Sequence, residues 1–278
     1  MDIEKVFTNV VGHEGWLKKC FILSLISCAP VAVMGIAIVL ALVLGGVDNA
    51  QGVASTLVLV SFIVIPLWLI WFLGYYNSSL HKMIHTGTFQ LAAFNEKNLL
   101  SLGFKSAVGY LLYGIIFYGV VMLATIAPIF LLIALTSQSE SNGLVELLGG
   151  VLAFIFILAI ALVLGIMMNV SFTSFATTLK FGTIFNLATH FRIIKENLKS
   201  TFILIGLMIL LNIAIGVVNS ILQFTVIGVI AMPFVSAFSI FLMMELEAQY
   251  ARDINIKSYY GFPEQKPLGV LNARRKIL

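Results

Sequence analysis

Six long runs of apolar residues alternate along the chain with segments that carry most of its polar residues. Each run is long enough to cross about 30 Å of hydrocarbon as a helix, which takes roughly 20 residues. The strict alternation of apolar and polar residues that marks the strands of a membrane barrel is absent. The pattern therefore predicts an all-α polytopic membrane protein with six transmembrane helices. The predicted spans are 21–45, 53–75, 107–135, 147–175, 201–222 and 226–249.

Long and short connections alternate between these spans. The long connections lie at 76–106 and 176–200, and the short ones lie near 46–52, 137–146 and 223–225. All 16 Lys and Arg residues fall in the N-terminal segment, the long connections or the C-terminal tail. The charged residues of the short connections are all acidic. Because cytoplasmic loops carry the excess of Lys and Arg, both termini and the long connections are expected in the cytoplasm.

Composition supports a membrane location. The chain is 60% hydrophobic and only 10% charged, which is more apolar surface than a soluble core of 278 residues could bury. The net charge of +4 comes from Lys and Arg residues in the predicted cytoplasmic segments. We interpret these cations as determinants of membrane topology and expect no nucleic-acid partner. Cys20 and Cys28 lie in or beside the first span and are interpreted as small apolar side chains.

The stretch 185–199 has the period of a two-faced helix at the membrane surface. Its apolar residues recur at steps of four, three and four, and its charged residues lie on the other side. The apolar set is Leu187, Phe191, Ile194 and Leu198, and the charged set is Arg192, Lys195, Glu196 and Lys199. A weaker amphipathic segment precedes the first span, where Gly12 and Gly15 predict a broken helix. The residues expected at the interface are Trp16, Phe191, Lys195 and Lys199.

Short internal similarities indicate a repeated unit. Residues 87–92 resemble 182–188 with one insertion, and a Lys-Ser pair stands before the next span in both copies. The predicted unit is an interfacial helix followed by a transmembrane hairpin, entered three times from the same side. Chance similarity in apolar sequence is the alternative. The units cover 1–75, 76–175 and 176–250 of a single membrane domain, 1–250, which a cytoplasmic tail, 251–278, follows.

Neutral polar residues are the candidates for a role inside the membrane, because no ionisable residue lies well within a span. Asn212 is near the middle of the fifth span and is the costliest to leave facing lipid. Asn169 and Asn219 are further candidates. Hydrogen bonds between helices are the ordinary role of such residues, and a polar path for a solute is the alternative.

The sequence offers no residue set for catalysis. His81 and His85 share a helical face, and His190 is the one candidate for a third metal ligand, so ordinary interfacial histidines are favoured over zinc. We find no phosphate-binding loop, nucleophile elbow or paired carboxylates at informative spacing. We therefore predict no enzyme activity, no metal and no cofactor. A lipid-modifying enzyme would need His81, His85 or Glu245 as its catalyst.

Four sequence segments resemble a known family. They are 16–19 (Trp-Leu-Lys-Lys), 74–75 (Gly-Tyr), 98–105 (Asn-Leu-Leu-Ser-Leu-Gly-Phe-Lys) and 185–197, each at the entry or exit of a predicted span. Over about residues 10–255 the chain is similar to domain-of-unknown-function family 4013. That family consists of prokaryotic membrane proteins distantly similar to the membrane domain of some glycerophosphoryl diester phosphodiesterases. The resemblance implies the cytoplasmic (inner) membrane and carries over no catalytic residues.

Two functions fit these patterns. The first is a noncatalytic membrane-organising or partner-binding component, which contacts lipids, a protein partner or a second copy through its spans, interfacial helices or tail. The second is a transporter or channel for a small polar or amphipathic solute. Same-side repeats, short outer connections and the lack of charge inside the spans favour the first. Prolines within the spans and Asn212 favour the second.

Overall fold

The computed structural model describes residues 1–136 and 143–262, and every regular element in these ranges is helical. The prediction of an all-α polytopic membrane protein is confirmed. The α-helices are α1 (Ile3–Val11), α2 (Trp16–Thr86), α3 (Leu99–Thr136), α4 (Gly143–Thr178), α5 (Leu187–Glu196), α6 (Leu198–Leu222) and α7 (Val226–Asp253). Short 3₁₀ helices cover Phe181–Phe185 and Ile256–Tyr260.

Five helical segments of the described chain are long and apolar enough to cross a membrane, whereas the sequence predicted six. The five are Gly52–Thr86, Leu99–Leu123, Gly149–Thr178, Leu198–Leu222 and Ala231–Asp253. The predicted first span, 21–45, is not among them: it and the predicted short connection at 46–52 include residues outside those whose side chains the structure describes. Both segments belong to α2.

The two ends of α2 nevertheless meet. Cys20 and Leu23 share one buried cluster with Tyr75 and Leu80. Burial lowers the pKa of Lys19, and the charge of nearby Lys82 lowers it further. In a straight helix, residues 20 and 75 would lie about 80 Å apart. The chain therefore reverses direction within α2, and the halves of this element form the hairpin that the sequence predicts.

The three predicted entry segments differ from one another. In the first, α1 ends at Gly12, and Gly15 adopts a left-handed conformation (φ 77°) before α2, so the predicted break is confirmed. The third contains α5. The second connection has no helix over 87–98, where Phe89 and Leu91 are buried. The threefold repeat stays a prediction.

A close crossing of α2 and α3 depends on two glycines. A Cβ atom at Gly74 would overlap the backbone carbonyl of Leu99, and one at Gly103 would overlap that of Ile70. Small residues allow such approach where lipid removes the hydrophobic drive for helix association. By contrast, a Cβ atom at Gly165 or Gly206 would meet no heavy atom within 4 Å. The apolar residues around a glycine in the sequence do not show whether that face of the helix contacts another helix.

Buried residues concentrate at one end of the bundle, which we call the polar end and define as residues 1–24, 71–106, 166–204 and 237–262. Tyr75, Phe175, Ile193 and Tyr250 are fully buried there. The remaining apolar parts of the helices are mostly exposed, as expected of surfaces that face lipid. The described part of the predicted tail, 251–262, packs into the polar end through Ile254 and Ile256, and residues 263–278 lie outside the described residues.

Candidate functional site

The N-terminal segment is fastened to the end of α7. The terminal ammonium pairs with the Asp253 carboxylate at 3.1 Å, and Asn9 Nδ2 donates to Glu245 Oε1 at 2.8 Å. Arg252 donates to the same oxygen at 2.8 Å and to the Met83 carbonyl at 2.9 Å. One buried carboxylate thus joins α1, α7 and, through Arg252, the end of α2. The N-terminus and residue 253 therefore lie at the same end of the bundle.

The histidine pair binds the end of α4. His81 Nδ1 lies 2.8 Å from the Ala176 carbonyl and His85 Nε2 lies 2.9 Å from the Thr177 carbonyl. The last carbonyls of a helix lack partners within it, so the two rings satisfy groups that otherwise face the solvent or a ligand. His190 belongs to a different cluster, and the described residues include no group of three metal-ligating side chains. The predicted interfacial histidines act as links between helices.

α5 is anchored by its inner face. His190 is fully buried, and its Nδ1 lies 2.9 Å from Ser171 Oγ, which contacts the Tyr113 hydroxyl. That hydroxyl donates to the Ile184 carbonyl at 3.0 Å. Burial lowers the pKa of the His190 imidazole to about 4, so the ring is neutral near pH 7. The chain of contacts fixes α5 against α3 and α4.

The second anchor of α5 comes from the described end of the tail. Tyr259 donates its hydroxyl to Glu196 Oε2 at 2.6 Å and accepts a hydrogen bond from Asn197 Nδ2 at 3.0 Å. Glu196 also pairs with Arg192 at 3.0 Å on the surface. Both ends of α5 are therefore held by the bundle, which fixes the direction of its outer face.

The outer face of α5 presents apolar and cationic side chains together. Leu187 is 48% exposed and Phe191 is 58% exposed, while Ile193 on the inner face is buried. Lys195 and Lys199 are exposed, and no ion pair between described residues includes them. Of the four predicted interfacial residues, Phe191 and Lys195 lie four residues apart on α5, and Lys199 lies in the first turn of α6. Trp16 lies elsewhere and packs between Phe234 and Phe238.

The three asparagine candidates do not form one path. Asn212 is exposed and its Nδ2 donates to the Met208 carbonyl of its own helix at 2.9 Å. The buried Oδ1 of Asn219 has no hydrogen-bond partner among the described residues. Asn169 lines a cavity that neither Asn212 nor Asn219 lines. Spacing along the sequence could not show this, because it does not give the rotation of a helix about its axis.

That cavity lies at the polar end, where α2, α3, α4 and α7 converge. Its volume is about 250 Å³. The lining consists of Tyr76, Asn77, Leu80, Tyr110, Gly165, Met168, Asn169, Phe172 and Glu247. The sequence analysis missed Glu247, because it ends an apolar run at a level where acids ordinarily face water. Glu245, two positions earlier, is also buried. Acidic residues at the end of an apolar stretch were therefore the sequence signal that could have identified this site.

Comparison with known proteins identifies the family. No curated protein and no solved structure matches the chain. The model of the family described as "Protein of unknown function (DUF4013)" matches residues 57–224, which is more than half of the chain. The matched segment includes the Gly74–Gly103 crossing, the histidine pair and α5. The chain belongs to the DUF4013 family of proteins.

Proposed function

We propose that the protein is a noncatalytic component that organises lipid at the cytoplasmic surface of the inner membrane. The observation that carries this proposal is the outer face of α5, where exposed Leu187, Phe191 and Lys195 follow one another at steps of four residues. Lys199, in the first turn of α6, is exposed as well. Apolar side chains next to cations are the pattern by which helices lie in a headgroup layer.

The charge on this face suggests which lipids gather there. Each Lys near an anionic membrane surface contributes about 1 kcal/mol of attraction. Lys18 and Lys97 are also exposed, so several cations of the polar end are available to headgroups. Because α5 is fixed to the bundle through His190 and Tyr259, lipids held there would be positioned relative to the spans.

A lipid-retention experiment tests the proposal. The full chain would be reconstituted in vesicles of mixed phosphatidylglycerol and phosphatidylcholine, extracted gently, and its retained lipids counted by native mass spectrometry. We expect enrichment of phosphatidylglycerol that falls about threefold or more in Lys195→Gln/Lys199→Gln, since the double change removes about 2 kcal/mol of attraction. Lys5→Gln, an exposed cation on α1, is the matched control for a lost charge. Equal retention in wild type and the double variant would refute the proposal.

The second candidate, a transporter for a small polar solute, is favoured by the cavity that Asn169 lines. Its test is a solute-flux screen in liposomes. Saturable flux that Asn169→Leu abolishes would support transport and count against a purely organising role. Asn212→Leu is the control, because Asn212 lies outside the cavity and bonds within its own helix.

A further inference from the structure

The cavity at the polar end contains a carboxylate that pairs with no cation of the described residues. Glu247 is only 8% exposed, and no ion pair between described residues includes it. Its described polar contact is with the Tyr76 hydroxyl. The neighbouring acid Glu245, by contrast, is paired with Arg252. An isolated buried charge costs several kcal/mol, so a carboxylate with no cation among the described residues requires a proton or a further cation.

The other lining groups indicate the kind of cation. The rings of Tyr76, Tyr110 and Phe172 lie around the carboxylate, with the last two stacked at 3.6 Å between centroids. Aromatic faces attract ammonium groups through their quadrupole, and the attraction strengthens when the site is desolvated. A hard divalent metal would instead need six or more oxygen ligands, and this cavity offers one carboxylate.

Amide oxygens complete the lining. Asn77 uses its Nδ2 to donate to the Leu73 carbonyl at 2.7 Å and to Ser106 Oγ at 3.0 Å. Its Oδ1 therefore remains as an acceptor for a donor in the cavity, and the Asn169 side chain lies across the same space. Acceptors together with a carboxylate suit the N–H groups of a primary amine or the hydroxyl of an amino alcohol.

Size restricts the ligand further. A cavity of about 250 Å³ is below the ~300–1,000 Å³ of pockets that hold drug-sized molecules. A headgroup or amine of a few heavy atoms fits, whereas a nucleotide or a peptide side chain with its backbone does not. We propose that this cavity binds a small ammonium group, with the Glu247 carboxylate as its counter-charge. The group belongs either to a soluble amine or to an amine-headed lipid.

Binding of soluble amines is measured on the purified full chain in detergent. Equilibrium dialysis with radiolabelled choline and ethanolamine should show saturable binding to one site per chain. Glu247→Gln should weaken binding about tenfold or more, because it removes the counter-charge and keeps the shape. Glu14→Gln, an exposed acid outside the cavity, is the control and should bind as wild type does. The neutral tert-butyl analogue of choline should not compete.

The lipid source is measured in a second arm. Native mass spectrometry after extraction from vesicles compares phosphatidylethanolamine with phosphatidylglycerol. If the ligand is a lipid, Glu247→Gln should lose phosphatidylethanolamine and keep phosphatidylglycerol. If the ligand is a soluble amine, Glu247→Gln should retain as much of both lipids as wild type does, and the dialysis result should be positive. The Lys195→Gln/Lys199→Gln variant should behave as wild type in both ammonium tests, so failure of the organising role is distinguishable from failure of this site.

Two results would overturn the assignment. One is that wild type binds no ammonium probe in either arm, which would mean that Glu247 keeps its own proton. The other is that Glu247→Gln binds the probes as tightly as wild type. If Glu247→Gln does not fold, Tyr110→Leu decides the question, because it keeps the carboxylate and removes one ring. It should weaken binding several-fold while Tyr110→Phe retains it, and equal affinity of both would refute the site.

Discussion

The polar end and the lipid-facing parts of the same helices are built differently. At the polar end, Tyr75 and Tyr250 are fully buried, and buried or partly buried polar groups join all seven α-helices through hydrogen bonds. Along the spans, Phe62 is 72% exposed, Leu152 is 66% exposed and Leu123 is 71% exposed. The long helices are therefore fixed by specific contacts at the polar end, and their described apolar residues farther along the spans are largely exposed.

The difference follows from the solvent. Lipid tails are as apolar as Leu, so burying an apolar side chain between helices gains little in a membrane. Directional contacts and close backbone approach must then hold the helices together, and both occur at the polar end. If this is correct, substitutions there should be costly, and chemically similar substitutions elsewhere should not.

Removing the cation of the Glu245 pair should have the largest effect. Arg252→Leu leaves a fully buried carboxylate with Asn9 as its remaining described donor, and breaking such a pair costs roughly 3–5 kcal/mol. Arg192→Leu removes the cation of an exposed pair and should change stability little. Thermal unfolding in detergent measures both. Similar midpoints for the two variants would mean that the polar end is not specifically fastened.

The glycine crossing should be nearly as sensitive. Gly103→Ala places a methyl group against the Ile70 carbonyl, and overpacking of this kind costs about 1–3 kcal/mol or more. Gly114→Ala on the same helix meets open space and should be neutral or stabilising by up to about 1 kcal/mol through helix propensity. The check is the yield of folded, monodisperse protein together with its unfolding midpoint. Tolerance of alanine at both positions would contradict the close approach of α2 and α3.

The buried His190 predicts a loss of stability in acid. Its native pKa of about 4 lies below the unfolded value of about 6.5, so the unfolded state binds more protons between these values. The stability present above about pH 6.5 is therefore lost as the pH falls toward 4, by an amount on the order of 3 kcal/mol. The measurement is the difference in unfolding midpoint between wild type and His190→Gln across this range. A pH-independent difference would show that His190 does not titrate in the folded bundle as proposed.

Asn212 should give the smallest effect. It is exposed along a span and hydrogen-bonds to its own helix, so Asn212→Leu removes no contact between helices. We expect unfolding midpoints within experimental error of wild type, or slightly higher in lipid, where Leu is favoured. A large loss of stability or of folded yield would place Asn212 at an interface between copies of the chain.

The sequence predicted what depends on local pattern. Apolar runs identified the helical spans, and Gly12 and Gly15 identified the break after α1, because length, hydropathy and glycine conformation act over a few residues. It did not show that His81 and His85 bind carbonyls of α4, nor that Glu247 lines a cavity, since those facts depend on how four helices rotate and cross. The non-helical segment 87–98 was missed for a similar reason: its apolar residues pack into a core made by distant elements.

The environment of the α5 surface tests the account most directly. Single cysteines would be placed at 190, 191 and 195 in a Cys20→Ala/Cys28→Ala background, labelled with a polarity-sensitive fluorophore and reconstituted in liposomes. We expect a lipid-dissolved quencher to quench the label at Phe191→Cys and an aqueous quencher to reach the label at Lys195→Cys. The buried His190→Cys should be labelled slowly. Aqueous quenching at all three positions would contradict a helix that is fixed to the bundle and turned toward the membrane.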